Sequence, residues 1–417
     1  MDHHLMPGQP EVDHVQVCGE DFIDRGDHTT EGLPEPILTR KQKRNRRNNR
    51  QKTVKRQGQL ADTIPTTEYS IHHIRAKPTP IRLVQSNEAI LRKKKLGGVV
   101  RFTKFSDMDS RLQSQLERLS KHLISESEYL NENGNNHSSV GGTMYNSGWR
   151  KASTHNEIIG ISAAVPKIAG NEASYTMLQG KRIEMERFLA TRFANISKVL
   201  YENLRCQHKK FCLPSFSSDA FDNIHDFSFA SHLSFTLNDF HNNPHCDNDS
   251  STYTFGLWLP IDKRDGQLVT ESLQVEGGNF IFPEDRFGLD FSGFDGVVEM
   301  IWKADQYSHH TEKSTSSSHH TRLGLSCEIP STTLQTIVRL QNGYYSGEEV
   351  FYRDIAHILE DCEAWKEKQE KKKEEKKLEQ MKIQAKKEEQ KKKRETTGHV
   401  LQSAFILLPF ILFILIC

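Results

Sequence analysis

Asn238-Asp239-Phe240-His241-Asn242-Asn243-Pro244-His245-Cys246-Asp247 is the stretch on which the reading of the chain turns. It closes a run, Ser231 to Phe240, in which Leu233, Phe235 and Leu237 alternate with Ser and Thr, the period of a half-buried strand. The loop after that strand carries a His-x-Asp pair, His245 and Asp247. In an extended segment, residues two apart point to the same side, so this imidazole and this carboxylate can converge on one ion.

Two His and one carboxylate on one face, with the remaining positions open, form the ligand set of non-haem Fe(II) oxygenases. The third ligand must be brought back by the fold, and His309 and His310 stand 62 and 63 residues beyond Asp247. His-x-acid alone carries little weight in a chain with 20 His, and His155-x-Glu157 and His310-x-Glu312 have the same shape. The weight lies in the ensemble of pair, sheet-like spacer, distal His, and Arg322 at 12 or 13 residues past it. Arginine presents a planar fork that grips a carboxylate bidentately, which is how 2-oxoglutarate-using oxygenases anchor the far carboxylate of that co-substrate. The competing reading is ordinary polar residues at strand ends in a β-rich domain.

Outward from this stretch the period stays at two. Tyr253, Phe255, Leu257 and Leu259 alternate up to Pro260, and Asp262 to Gly266 reads as a turn. Gly277-Gly278 opens a short strand from Asn279 to Phe282, and Val297 to Trp302 forms an apolar run leading towards His309. A last strand, Arg322 to Ile329, places Arg322, Gly324 and Ser326 on one face, where the Ser326 hydroxyl can add to a bound carboxylate. Many short strands with turns between them read as a barrel or sandwich, and ligands converging from its mouth fit a double-stranded β-helix, jelly-roll or cupin-like in kind. Two helices are expected to buttress it. One follows Asp107 or Asp109 with Leu112, Leu116, Leu119 and Leu123 in a stripe; the other runs from about Gly180 to Cys206. The fold class is therefore α+β.

The 417 residues can hold a sizeable core, but 35% hydrophobic and 27% charged is thin for one compact unit. The deficit lies at the ends. Residues 1–95 read as a disordered, basic arm, 96–345 as the folded domain with its motif core at 228–330, 346–398 as a charged helical extension, and 399–417 as a hydrophobic tail. Arg40 to Arg56 holds ten Lys or Arg in seventeen residues and no acid, which suits nuclear import or attraction to nucleic-acid phosphates. Lys366 to Arg394 carries fourteen basic and seven acidic residues, with Glu367–Lys371 and Glu389–Lys393 at helical spacing. Ala404 to Cys417 is almost wholly apolar and suggests contact with a membrane, as in a tail-anchored chain, although Pro409 interrupts it. Seven scattered Cys form no disulfide framework and favour a reducing compartment.

The block from Asn238 to Glu328 resembles the TET/JBP-like 2-oxoglutarate and Fe(II)-dependent dioxygenases, in particular the fungal group of TET-like oxygenase domains. The residues that carry the resemblance are NDFHNNPHCDND, TFGLWLPIDKRDGQLV, GGNFIFPEDRFGLDFSGFDG, VVEMIWKADQYSHHTE and RLGLSCE. It implies His245 and Asp247 as metal ligands. It favours His309 as the distal one, with His310 in a place the family gives to an aromatic and as the alternative ligand. It further implies Arg322, with Ser326, at the 2-oxoglutarate carboxylate, and Fe(II), 2-oxoglutarate and O2 as the working set. Founding members oxidise the methyl group of thymine or 5-methylcytosine in DNA, so nucleic acid is the implied partner, with the arm Arg40 to Arg56 as its contact. One feature opposes this: Asp239 to Glu312 holds fourteen Asp or Glu against four Lys or Arg, and a duplex groove normally needs the opposite sign. The alternatives are a protein or small-molecule hydroxylase of the same fold, and a non-catalytic binding module.

Overall fold

The alternating run beginning at His232 becomes a ten-residue strand paired along both of its edges. The computed structural model describes residues 68–414 apart from 75–79, 93–94, 134–139, 153–155 and 348, and gives the backbone alone for 395–414. The chain divides into two units, Met1–Ile358 and Leu359–Cys417.

In the first unit, β1 (Ser70–His73), β2 (Arg82–Val84), β3 (Glu88–Arg92) and β4 (Lys95–Lys104) precede helix α1 (Ser110–Ser127). Strands β5 (Gly141–Lys151) and β6 (Glu157–Ile161) follow, then helices α2 (Val165–Ile168), α3 (Glu172–Gln179), α4 (Arg182–Ile196) and α5 (Lys198–Lys210). The barrel proper is β7 (His232–His241), β8 (Thr254–Asp262), β9 (Val275–Gly277), β10 (Phe280–Phe282), β11 (Phe287–Leu289), β12 (Gly296–Trp302), β13 (His310–Thr311), β14 (Ser314–Ser316) and β15 (His320–Glu328). Helix α6 (Ser331–Gln341) and strand β16 (Phe351–Arg353) end the unit, and α7 begins at Ile355.

Ten strands form one sheet in the order β1-β3-β4-β12-β8-β15-β7-β5-β6-β16, and four form a second, β13-β10-β11-β2. Along the chain the path crosses between them: β7 and β8 in the large sheet, β10 and β11 in the small, β12 back in the large, β13 in the small, β15 in the large. That alternation winds the chain as a double-stranded β-helix. The central ladders are antiparallel and closely registered, with Gly324 of β15 opposite both Trp258 and Thr236.

Side-chain alternation then decides the layers. Phe255, Leu257, Leu259, Leu323, Leu325 and Cys327 are buried on one face of the large sheet, where Phe193 of α4 stacks on Phe255 at 5.2 Å. Trp258 and Trp302 face the small sheet and join Phe280, Phe282, Phe287 and Phe291 in one buried cluster. Two glycines make room for the indoles. A Cβ on Gly256 would stand 2.7 Å from the Trp302 ring, and one on Gly324 3.1 Å from the Trp258 ring.

Helix α1 starts where Asp109 accepts a hydrogen bond from the Leu112 N–H at 2.6 Å, and its stripe Leu116, Leu119 and Leu123 is buried. The single helix expected from Gly180 to Cys206 is two. Ser197, extended at φ −154°, interrupts it, and its hydroxyl accepts from the Leu200 N–H to start α5. Ser70–His73, Arg82–Val84 and Glu88–Arg92, assigned by composition to the disordered arm, are strands of both sheets, with Val84, Ala89 and Ile90 buried and Glu88 held by Arg82 through two 2.6 Å bonds. The basic run Arg40 to Arg56 lies outside the described residues.

Glu186 of α4 is buried, and its carboxylate accepts from the hydroxyls of Ser215 and Ser217 and, at 3.4 Å, Ser228. Burial outweighs these bonds and pushes its pKa up from 4.5 to about 7. The folded state therefore holds a proton that the unfolded chain releases. Its contribution is full below the unfolded value and is lost as pH rises to about 7. Glu186→Gln is expected to remove that decline, leaving the variant more stable than the wild type at alkaline pH by up to ~3 kcal/mol. Urea midpoints on either side of this range check it.

The second unit continues helix α7 to Ile414. Its charged faces are exposed and carry ion pairs at helical spacing, Glu370–Lys373 at 2.9 Å and Glu389–Lys393 at 2.7 Å. The membrane contact expected of Ala404 to Cys417 finds no support: among the described residues no helix is long and apolar enough to cross a membrane. The side chains of that run lie outside the description.

Candidate metal centre

The His-x-Asp loop is held in place by backbone pairing with the segment that leads to the distal His. Asn242 donates its N–H to the Thr311 carbonyl at 3.2 Å, and its side-chain oxygen accepts from the Thr311 N–H at 2.9 Å. His245 and His309 exchange both backbone hydrogen bonds, at 3.1 and 2.9 Å, and the Asp247 N–H donates to the Ala304 carbonyl at 2.9 Å. Residues 57 to 69 positions apart are thus placed side by side, with the two imidazoles 4.7 Å apart between centroids.

The tautomers follow from the partners. Nδ1 of His245 lies 2.9 Å from the Asn243 carbonyl, and Nδ1 of His309 2.9 Å from the Tyr307 carbonyl. A carbonyl only accepts, so each Nδ1 carries a proton and Nε2 is the atom left to serve as a metal ligand. Both Nε2 atoms face Asp247, that of His245 at 3.2 Å from Oδ1 and that of His309 at 3.5 Å from Oδ2. Burial raises the Asp247 carboxyl, but the two imidazoles against it prevail and hold it well below the usual carboxylate range, so it is ionised. Either protons on Nε2 donate to this carboxylate or, with those protons lost, two lone pairs and a carboxylate within 4.8 Å of one another are drawn together by a cation. This donor set, neutral imidazole nitrogens and one carboxylate, suits a divalent first-row metal. It is the one such group of three or more His, Cys, Asp or Glu among the described residues.

Of the two candidates for the distal position, the structure brings His309 to Asp247. His310, the next residue on β13, has its Nδ1 buried without a partner and stands opposite Ile281 of β10.

Arg322 lies in the same interior. Its Nη1 donates to the carbonyls of Gly277 at 3.0 Å and Gly278 at 3.4 Å, and its guanidinium carbon stands 4.5 Å over the Phe291 ring. Burial lowers its pKa to about 10, against the opposing charges of Asp239 and Asp290, which leaves it a cation at neutral pH. Nη2 is buried with no hydrogen-bond partner, an orphan donor that a carboxylate oxygen would satisfy. A path of rings joins Arg322 to the metal cluster: Phe291 to Trp258 at 5.6 Å, Trp258 to Phe280 at 4.9 Å, and Phe280 to His309 at 5.4 Å. Ser326 lies four residues along the strand, paired with Ser234 and Gly256, and its hydroxyl bonds to Glu328. Glu328 is itself buried, and that burial together with Asp249 and Asp247 pushes its carboxyl well up. Sequence reasoning missed Glu328, the ring of Phe291 and the two carbonyls at Gly277-Gly278. The glycine pair was the available signal, since both sit at φ above +70°.

Residues 109–314 match the family model of the Tet-like 2OG-Fe(II) oxygenase superfamily. Among solved structures the chain is similar to NgTET1 in complex with 5mC DNA, at 14% identity, covering 68% of this chain and 91% of that one, with a TM-score of 0.40. It is also similar to a 2OG-Fe(II) oxygenase family oxidoreductase from Burkholderia pseudomallei, at 12% identity over 63% of this chain and 99% of that one, TM-score 0.27. A Pseudomonas putida prolyl-4-hydroxylase matches at 10% identity over 56% and 94%, TM-score 0.23. No curated protein matches. The family match ends at Ser314, before β15 begins, so Arg322 is placed by the geometry around it. With its barrel and its His-Asp-His cluster, the region 109–314 is similar to the Tet-like 2OG-Fe(II) oxygenase superfamily, and the protein is a dioxygenase that works with Fe(II), 2-oxoglutarate and O2.

Proposed function

We propose that His245, Asp247 and His309 hold the Fe(II), that Arg322 receives the far carboxylate of 2-oxoglutarate, and that the enzyme hydroxylates the methyl group of a modified base in nucleic acid. The observation that carries the site is the convergence of three acceptor atoms with their tautomers already fixed. Bound there, Fe(II) with 2-oxoglutarate and O2 supplies the oxidising power that converts a C–H bond to an alcohol, with succinate and CO2 as co-products. The chain's own part is positioning. The Asn243 and Tyr307 carbonyls hold the imidazoles in orientation, and Phe280, Phe282 and Trp302, all packed around His309, keep water from its ring. Arg322 offers one free donor of fixed direction.

The methylated base rests on the match of residues 109–314 to the Tet-like family model, and with it go nuclear placement and a DNA contact through Arg40 to Arg56. A second reading, a protein or small-molecule substrate, is favoured by charge. The stretch from Asp239 to Glu312 remains strongly acidic. Of the cationic residues at the start of α4, Lys181, Arg182 and Arg187, the Arg182 guanidinium is buried and paired with Glu126. The full chain is to be supplied with Fe(II), ascorbate and 2-oxoglutarate, with 5-methylcytosine duplex, unmodified duplex or no DNA. Succinate that rises only with the methylated duplex, with hydroxymethylcytosine found by mass spectrometry, supports the base reading. Triad-dependent succinate indifferent to DNA moves the substrate to the second reading.

A further inference from the structure

Strands β9 and β14 form a two-stranded ribbon, Ser314 opposite Gly277 and Ser316 opposite Val275, that belongs to neither main sheet. Its end at Gly277-Gly278 supplies the carbonyls that hold Nη1 of Arg322. The approach is close: a Cβ on Gly278 would lie 2.8 Å from that nitrogen and 3.0 Å from the Ser314 Cβ.

One carboxylate ties this ribbon to the large sheet. Ser314 Oγ donates to Oδ1 of Asp239 at 3.1 Å, and Ser316 Oγ to Oδ2 at 2.8 Å. Lys263 of the neighbouring turn adds a bond to Ser316 Oγ at 2.7 Å and to the Ser317 carbonyl at 3.0 Å. Asp239 reaches the ribbon because β7 breaks its regular conformation there. Asn238 and Asp239 are consecutive left-handed residues at φ +57° and +60°, a conformation that costs a non-glycine residue about 1–3 kcal/mol. The bulge is pinned by the Asn238 N–H, which donates to Thr321 Oγ1 at 3.2 Å, one residue before Arg322. Strained backbone of this kind persists only where the surroundings over-determine it, and here what it delivers is a carboxylate with two acceptors for two serines.

We propose that Asp239 is a positioning residue for the co-substrate: by fastening the β9–β14 ribbon it fixes Nη1 of Arg322 on Gly277 and Gly278, and so aims Nη2 at the carboxylate of 2-oxoglutarate. This rests on the reading of Arg322 as the carboxylate anchor. Asp239 is bonded to the ribbon serines and is not among the three converging ligands, so its loss loosens the grip on 2-oxoglutarate and leaves the metal site alone. An Asn side chain keeps one acceptor of the two, and only one serine can then be satisfied.

The test is calorimetric titration of 2-oxoglutarate into the full chain under anaerobic Fe(II), for wild type, Asp239→Ala, Asp239→Asn, Ser314→Ala/Ser316→Ala and Arg322→Gln. Asp239→Ala and the double serine variant are each expected to weaken 2-oxoglutarate binding about tenfold, the scale of losing an outer-shell support. Combining them is expected to add nothing further, Asp239→Asn to fall between, and the Fe(II) Kd to stay unchanged throughout. If Arg322→Gln weakens binding and neither the Asp239 nor the serine variants do, the proposal is overturned. If Arg322→Gln has no effect, the anchor reading itself fails and the proposal with it. Weakened Fe(II) binding in the serine variants would show a general structural role and also overturn it. Should Asp239→Ala not fold, the serine pair decides alone.

Discussion

Asp247→Ala is expected to abolish metal-dependent turnover, by at least ~100-fold, the upper end of what losing even an outer-shell support costs. The side chain is the one anionic member of the cluster and faces both Nε2 lone pairs. Without it two neutral imidazoles remain, and a divalent cation loses both a ligand and charge compensation. His309→Ala is expected to match it. His310→Ala, which removes a ring outside the converging three, is expected to keep Fe(II) binding. Succinate release measured at saturating Fe(II) and 2-oxoglutarate separates the three. A His310→Ala variant that fails to bind metal while His309→Ala succeeds would reverse the ligand assignment.

Glu299→Ala is expected to be the most destabilising single substitution in the barrel, costing ~3–5 kcal/mol. Glu299 sits fully buried on β12 between two arginines. Arg192 of α4 donates to Oε1 and Oε2, each at 2.7 Å, and Arg101 of β4 donates to Oε2 through Nε at 3.0 Å and Nη2 at 2.8 Å. Removing the carboxylate leaves the buried Arg192 and the largely buried Arg101 without their counter-charge, where the helices meet the sheet. The pH dependence has a definite sign. Burial raises the Glu299 carboxyl, but Arg192 and then Arg101 outweigh it and hold it below its ordinary value of 4.5. Its contribution is therefore present above that value and is lost as pH falls through the depressed one. Urea unfolding of wild type and Glu299→Ala should accordingly show a gap that narrows in acid. A midpoint shift of under about 1 kcal/mol at neutral pH would show that the arginines find other partners.

The strands that carry the site were legible because their alternation is strong. Leu233-Phe235-Leu237 and Phe255-Leu257-Leu259 give a clean period of two, and the structure pairs them through β15 as one ladder. His245, Asp247 and His309 were legible as an ensemble of types and spacings, and the fold does converge them. What was not legible lacked period. The segments SIHH, RLV and EAILR are three to five residues long. They are fixed by contacts distant in sequence, such as β11 against β2, so composition alone assigned them to the arm. GGTMYNSGWRK, which became the eleven-residue β5, is mostly polar and buries chiefly Tyr145, Ser147 and Trp149. Asp239 was invisible for another reason. Its role depends on two left-handed residues in an otherwise regular strand, and the Asn-Asp pair, the non-glycine residues that best tolerate that conformation, was read only as the end of the strand. Ser326 shows the limit of face arithmetic: it shares a face with Arg322, yet its hydroxyl is taken up by Glu328.

The central claim is that His245, Asp247 and His309 form one Fe(II) site. Anaerobic titration of Fe(II) into the full chain, followed by calorimetry, tests it most directly, with Asp247→Ala and His309→Ala alongside. The geometry predicts one Fe(II) per chain in the wild type and loss of that site in both variants. Unchanged Fe(II) affinity in Asp247→Ala and His309→Ala would contradict it, and the convergence of the three side chains would then have another cause.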